Sequence, residues 1–375
     1  MCAVSFLHRA IISKYMLRDI VSLAKEFISI KSTPDNAKEL EKILDIVLSR
    51  VKGYTIERFE RDGVKSVLVY NTPKRPKKFN IILNGHLDII PGKEHQYTPL
   101  VKGDRLYGVG AMDMKASVAC LITAFREIAD KVDYPLGLQL VTDEETGGFN
   151  GTKYQIDKGV RADLVIVGEN TGFDIENKAK GILWVKVSAK GKTAHGAYPW
   201  KGENAVWNMH RFLNQVEKKY PAPRKEKWVT TVNLANIETN NKTFNKIPDY
   251  CEAWLDVRYI PEDADCIVNN LKKLLPKEFG MEIIVKEPAL STDENNHYVK
   301  LLKTVVKQTV GKKVRTLSAN GSSDARHFAR VRCPAIEFGP NGGGMGSDRE
   351  WVNIPSLEKY CQTLKNFLRE ARSKI

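Results

Sequence analysis

"ADLVIVGENTGFDIENKAKGILWVKVSAKGK", residues 162–192, contains a change of texture that divides the chain. Its first part, "ADLVIVGE", has the pattern of a buried strand and closes on Glu169. Upstream, runs of this kind alternate with helical patterns. Residues 16–30 and 36–51 carry apolar residues at three- and four-residue spacing, which predicts two helices separated by "KSTPDN". "SVLVYN" and "FNIILNG" follow as strands, then a helix from Met114 to Ile128, the strand "LGLQLVTD" and a helix near 150–159. Strands alternating with helices predict an α/β unit whose mixed, mostly parallel sheet is covered on both faces.

From Gly181 the order becomes a strand in "ILWVKVSAKGK", a helix near 203–218, strands in "WVTTVNLANIET" and "YCEAWLDVRYI", a helix near 263–275, and the strand "MEIIVKE". This β-α-β-β-α-β order predicts an inserted α+β, ferredoxin-like sandwich over residues 181–292. Beyond it "YVKLLKTVVKQTV", "CPAIEFG" and "SLEKYCQTLKNFLREA" resume the first pattern. Residues 1–180 and 293–375 are therefore expected to make one domain in two parts, with 1–15 an N-terminal extension if Met16 is the start. A chain of 375 residues exceeds one ordinary core, in keeping with two domains.

With 42% hydrophobic residues and both charge signs mixed throughout, the chain has the composition of a folded globular protein rather than a disordered one. The richest apolar stretch, "FNIILNGHLDII", is cut by Asn84, His86 and Asp88 and falls short of the roughly 20 residues of a membrane span. "MCAVSFLHRAIISKYMLRDI" is interrupted by Arg9 and Lys14 and lacks a small-residue cleavage site, so it fits a signal peptide poorly. Cys2, Cys120, Cys251, Cys266, Cys333 and Cys361 are scattered with no CxxC pair, the usage of free thiols in a reducing cytoplasm. The net charge of +14 is spread along the chain, and its densest runs, "TPKRPKKF" and "KKYPAPRKEKW", lie at loops without interleaved aromatics. That distribution argues against a nucleic-acid partner and suits a small anionic substrate.

Polar groups stand at the ends of the strands, where open α/β sheets gather their ligands. His86 and Asp88 in "NIILNGHLD" are spaced by two, so both side chains leave one face, and the carboxylate can hold one imidazole nitrogen while the other meets a metal. A lone histidine at a strand end has an equally ordinary structural use. Asp113 in "GVGAMDMKASVAC" precedes a helix and reads either as its cap or as a ligand. Asp143, Glu144 and Glu145 follow an apolar strand and would repel one another unless a cation or a proton relieves them. Taken together, His86, Asp113, Glu145 and Glu169 supply an imidazole and carboxylates suited to zinc or a similar divalent ion. Glu144 is then left beside the metal as a general base for a water.

With "NGHLDIIPG", "YGVGAMDMKA", "TDEETGGFNGT", "VGEN", "GKTAHGAYPWKGENAV", "NKIPDYCEAWLDVRY" and "SSDARHF" in this order, the chain resembles a family of co-catalytic zinc amidohydrolases and exopeptidases. The family includes succinyl-diaminopimelate desuccinylase, acetylornithine deacetylase, aminoacylase and glutamate carboxypeptidase. The resemblance implies that His86 and Glu169 hold one zinc, that Asp113 bridges to a second, and that Glu145 binds that second ion. It gives Glu144 the acid/base role and makes Asp88 the partner of His86. The inserted domain becomes a lid and dimerisation domain, with His195 reaching the partner subunit's site in a homodimer to stabilise an oxyanion. Asn245 and Arg258 would meet the carbonyl and α-carboxylate of an N-acyl amino acid or peptide. Ser323 and Arg326 would add substrate contacts, or Asp324 and Arg326 would pair to hold their turn. Zinc is the expected cofactor, with Co2+ as the alternative ion.

The chain departs from the family in "GGGMGSDREWVN", residues 342–353. Glu350 fits the glutamate of an "HxxxE" frame, and Gly346 stands where the second ion's histidine belongs. Only Asp113 and Glu145 remain for that ion, so it is expected to be weak or absent unless Asp348 or Ser347 substitutes. His95, His297 and His327 are the other imidazoles available. Asn240 and Asn241 also replace paired glycines found in many relatives. The expected function is hydrolysis of an N-acyl amino acid, desuccinylase- or deacetylase-like. The alternatives are a dipeptidase or carboxypeptidase of the same family, or a catalytically impaired dimeric binding protein.

Overall fold

The computed structural model describes residues 2–371, with side chains from Tyr15 onward. The first helix, Cys2–Ile28, runs through the expected extension, whose side chains at residues 2–14 lie outside the described residues. Two compact units result. One combines the chain up to Asn177 with Ser291–Leu317 and the segment from Ser323, and the other combines Lys178–Leu290 with Ser318–Ser322.

Phe79–His86 is the strand that organises the first unit, and it is buried at every position. It runs parallel between Leu136–Val141 and Ala162–Val167 in a mixed nine-stranded sheet. Beyond these lie the antiparallel Val64–Tyr70 and Thr55–Arg61 on one side, and Ala335–Glu337, Ile175–Ala179 and Leu290–Ser291 on the other. The register sets His86 opposite Val141 and Asn84 opposite Val167, so the three parallel strands finish together. His86, the 143–145 acids and Glu169 thereby reach the same edge of the sheet, the edge where such sheets bind ligands.

Helix Lys115–Ile128 is buried along nearly its whole length and packs directly over this strand. Gly85 permits the approach, since a Cβ there would lie 2.9 Å from Val118 Cγ2 and 3.1 Å from Met114 Cε. Because Asp113 immediately precedes the helix, the same packing carries its carboxylate to the strand end. Beneath, a buried polar ladder runs from Asn84 Nδ2 to Gln139 Oε1 (2.8 Å), from Gln139 Nε2 to Gln155 Oε1 (3.0 Å) and from Gln155 Nε2 to Ser66 Oγ (2.9 Å). Each donor finds an acceptor, as low-dielectric surroundings require.

A further four-stranded sheet, unforeseen in the sequence, joins Gly342–Gly343, Trp351–Asn353, Arg105–Tyr107 and Leu100–Lys102. Its strands are two or three residues long, too short for any periodicity to register. The Arg105 guanidinium stacks 3.9 Å from the Trp351 ring centroid. Gly108 N donates to Glu350 O at 3.2 Å, which ties the glycine-rich segment to the loop before Asp113.

The second unit has the β-α-β-β-α-β order: Gly181–Lys190, helix Ala205–Lys219, Thr231–Glu238, Tyr250–Tyr259, helix Ile267–Lys272 and Gly280–Glu287. Its sheet is antiparallel, ordered Thr231–Glu238, Tyr250–Tyr259, Gly181–Lys190, Gly280–Glu287. Alternate residues Leu183, Val185, Val187 and Ala189 face a core completed by Met209, Phe212 and Leu271. Asn204 caps the longer helix by accepting from Val206 N and Trp207 N. Among the described residues no helix is long and apolar enough to cross a membrane.

The tight contact at Gly85 makes Gly85→Ala an overpacking change, expected to destabilise the protein by about 1–3 kcal/mol in urea unfolding. An unchanged midpoint would contradict the close approach of strand and helix.

Candidate metal centre

His86 is 1% exposed, and its two nitrogens have distinct surroundings. Nε2 lies 2.9 Å from Asp113 Oδ1 and 3.7 Å from Glu169 Oε1. Nδ1 lies 3.0 Å from the main-chain oxygen of Asp88 and 3.5 Å from its Oδ1. An Nδ1–H donated to Asp88 fixes the tautomer that leaves Nε2 as a lone-pair donor. One ligand atom each from His86, Asp113 and Glu169 can be chosen so that all lie within 4.8 Å of one another. Among the described residues this is the one such group.

The electrostatics of the cluster suit a cation. Burial pushes the carboxyl of Glu169 well above its usual range, and the nearby Asp113 pushes it further. Burial likewise raises Glu144 well above its usual value and takes Glu145 to about 7, with His86 opposing in both cases. Burial alone would lower His86, but its bonds to Asp113 and Asp88 and the field of Glu169 outweigh that and raise it. These shifts favour protons or a cation at the cluster. A divalent ion would compete with protons there, and the donor set, an imidazole with hard carboxylate oxygens, fits zinc. Asp88 Oδ2 accepts from Glu145 N at 2.9 Å, so one residue orients the imidazole through its main-chain oxygen and the acidic turn through its carboxylate.

Glu145 is half-buried, and its Oε1 accepts from Ile90 N at 3.3 Å. Its carboxylate lies beside the cluster without belonging to the compact group. Gly346 adopts φ +67°, and a Cβ there would meet only Ile90 Cδ1 at 3.5 Å, so space for a side chain exists and none fills it. The exposed carboxylate of Asp348 pairs with Lys93. Ser347 Oγ donates to Gly344 O at 2.7 Å. His327 is buried, with Nε2 2.9 Å from Gly147 O.

In the second unit, His195 is exposed and its Nδ1 accepts from Ala197 N at 3.2 Å. In the neutral ring this places the proton on Nε2, making it a donor. Gly196 N donates to Asn245 O at 2.7 Å, which sets the Asn245 loop beside His195. Arg258 donates through Nε to Asp256 Oδ1 at 2.8 Å.

Ser323 and Arg326 are buried and directed into the protein. Ser323 Oγ donates to Glu337 Oε1 at 2.6 Å. Arg326 donates through Nη1 to Ser323 O at 2.7 Å and through Nη2 to Gly147 O at 2.6 Å. Asp324 instead accepts from Thr152 Oγ1 at 2.6 Å.

Two further residues shape the site. Glu350 Oε1 accepts from Met112 N at 2.8 Å and from Asp113 N at 3.0 Å, so it seats the turn that presents Asp113. Lys115 is fully buried, its ammonium donates to Ile30 O at 2.7 Å, and burial lowers its pKa to about 7. The "HxxxE" frame pointed to Glu350 as a position, but its partners lie more than two hundred residues away along the chain, beyond any local signal.

A family model described as peptidase family M20/M25/M40 matches residues 82–370. The chain is similar to the succinyl-diaminopimelate desuccinylase of Pelagibacter ubique, 28% identical over 382 residues that cover 92% of this chain and 98% of that protein. It is equally similar to the enzyme of the same name from Nitratiruptor sp., 28% identical with 94% and 99% covered. Among solved structures it resembles aminopeptidase PepT from Bacillus cereus, with TM-score 0.78, 19% identity, and 95% and 98% covered. An M20 family metallo-carboxypeptidase from Sulfolobus solfataricus gives TM-score 0.72, 17% identity, and 94% and 99% covered. The structural likeness establishes the fold, a mixed sheet with a separate antiparallel one.

Glu337 generates a pH prediction. Burial and the neighbouring Glu176 push its carboxyl from the usual 4.5 to about 8. Between those values the folded state keeps a proton that the unfolded chain releases, so stability falls as pH rises through the window. Asp143 and Glu145, both raised to about 7, act in the same direction, and Lys115, lowered to about 7, opposes only above that pH. Chelator-treated protein should therefore resist urea better at about pH 5 than at about pH 7, with Glu337→Gln narrowing the difference. A midpoint that rises with pH across this interval would contradict the raised carboxyls.

Proposed function

The chain belongs to the M20/M25/M40 peptidase family, and from that membership we propose that it hydrolyses the amide bond of an N-acyl amino acid, in the manner of a desuccinylase or deacetylase. The convergence of His86, Asp113 and Glu169 at one sheet edge, with Glu144 on the adjoining turn, carries this reading. The proposed resident ion is one well-held Zn2+, with Co2+ able to replace it because the donors suit either. A second ion would have Asp113 and Glu145 but no third side chain, since Gly346 supplies none and Asp348 pairs with Lys93.

When bound, the ion polarises the amide carbonyl and acidifies a water. The protein's own groups do the remaining work. Glu144 takes the proton of the attacking water and returns it to the leaving nitrogen, and the low-dielectric surroundings that raise its basicity suit it to both steps. Asp88 keeps His86 in its ligating tautomer. His195, with Nε2 as donor, is assigned to the developing oxyanion in the partner subunit of a homodimer. Asn245 is assigned to the substrate carbonyl and Arg258 to the α-carboxylate, its Asp256 bond through Nε fixing the guanidinium plane. The chain's net charge of +14 favours an anionic substrate such as an N-succinyl amino acid. We assign the protein to the cytoplasm, an assignment that the free cysteines among the described residues support.

The glycine at 346 favours one other reading, a dimeric binding protein with impaired catalysis. A screen of N-succinyl and N-acetyl amino acids and dipeptides with the metal-loaded chain separates the two, and turnover of dipeptides alone would make the protein a dipeptidase.

Glu144→Gln should lower kcat by about 10²–10⁴-fold while metal content by elemental analysis stays unchanged. Wild-type turnover in that variant would contradict the mechanism. Gly346→His should raise bound zinc from about one toward two per chain, because it restores a third donor. An unchanged stoichiometry would show that the second position fails for another reason.

A further inference from the structure

Glu144 sits on one of the shortest ordered pieces of the molecule, the 3-10 turn Glu144–Thr146. A single turn has no cooperative helix to hold it, so its orientation must be imposed from outside. Gly147 closes it: φ is +108°, a value reserved for glycine, and Gly147 N donates to Glu144 O at 2.7 Å. The Gly147 carbonyl then points into the protein, where Arg326 Nη2 meets it at 2.6 Å and His327 Nε2 at 2.9 Å.

We propose that Arg326 is a positioning residue, which holds the Glu144 turn through the Gly147 carbonyl and makes no contact with substrate. This rests on the general-base reading of Glu144. It also replaces the expectation that Arg326 binds substrate. Arg326 is 4% exposed, and both terminal guanidinium nitrogens are engaged, Nη2 by Gly147 O and Nη1 by Ser323 O at 2.7 Å. A rigid planar donor bonded to two main-chain oxygens fixes their separation, which a flexible ammonium does not do.

The surrounding contacts leave the turn no slack. Gly148 lies so close to helix Ala325–Ala329 that a Cβ there would fall 1.9 Å from Asp324 Oδ1 and 3.0 Å from His327 Nε2. Thr152 Oγ1 donates to Asp324 Oδ2 at 2.6 Å, which pins the far end of the loop to the same short helix. Within the loop, Asp143 Oδ2 accepts from Asn150 N at 2.8 Å and Gly151 N at 3.1 Å. Arg326 is the fixed charge in this clamp, and Ser323 links it to the buried carboxyl of Glu337. Misplacing a catalytic group by about 1 Å costs on the order of 100-fold in rate, so the clamp acts on kcat.

The test compares Arg326→Met and Arg326→Lys with the wild-type full chain, by steady-state kinetics on N-succinyl and N-acetyl amino acids and by amide hydrogen exchange of metal-free protein. Arg326→Met should lose roughly 100-fold in kcat with KM within about twofold. Its amides at 143–151 should exchange at least about tenfold faster while Phe79–His86 is unaffected. Arg326→Lys, which keeps the charge and one donor, should recover part of kcat; if the methionine variant fails to fold, the lysine variant carries the comparison by its lower kcat at unchanged KM. A KM raised about tenfold with exchange unchanged would overturn the proposal in favour of substrate contact. A lowered melting temperature with kcat and exchange unchanged would also overturn it, leaving a packing role. A wild-type chain that turns over none of these substrates would instead defeat the N-acyl amino acid reading, while the exchange at 143–151 would still decide whether Arg326 holds the turn.

Discussion

Too much buried negative charge at one sheet edge is the constraint on which this structure depends. Three parallel strands end level, and the chain has placed His86, Asp113, Glu144, Glu145 and Glu169 where they finish. Desolvation penalises the carboxylates of Glu144, Glu145 and Glu169 and the neighbours repel one another, so the cluster is unfavourable until a cation or protons join it. A protein keeps such an arrangement where the compensating ion brings binding or chemistry. The remaining architecture serves that edge: the Gly85 contact sets the helix that follows Asp113, Glu350 seats the Asp113 turn, and Arg326 holds the Glu144 turn.

Much of this was legible in the sequence because its signals are local. Apolar runs ending in His86, Asp143–Glu145 and Glu169 mark strand ends directly, and the β-α-β-β-α-β order after Gly181 names its own topology. The α/β class with an inserted antiparallel sheet follows from that order. What escaped the sequence is non-local or too short to carry a pattern. The small sheet containing Gly342–Gly343 and Trp351–Asn353 exists only through pairing with Arg105–Tyr107. That pairing brings Glu350 to Asp113, and no spacing rule expresses a bond between residues so far apart.

Ser323 and Arg326 show the limit of a motif. "SSDAR" marks these residues out, and a serine and an arginine near an active site suggest substrate contacts. Burial changes the meaning: hydroxyl and guanidinium face Glu337, Ser323 O and Gly147 O. Asp348 offers the converse case. Its type and position recommend it as a replacement ligand, whereas an exposed lysine at 93 takes up its carboxylate. Residue identity was informative in both, and the partner was decided by chain packing.

Calorimetric titration of chelator-treated protein with zinc near pH 7 measures the demand of this sheet edge for a cation. One tight site per chain with release of protons is expected, because the ion competes with protons at the raised carboxyls. His86→Ala should weaken this site by more than the roughly 10–100-fold that loss of a supporting hydrogen bond costs. Zinc binding to His86→Ala with wild-type affinity and stoichiometry would contradict it.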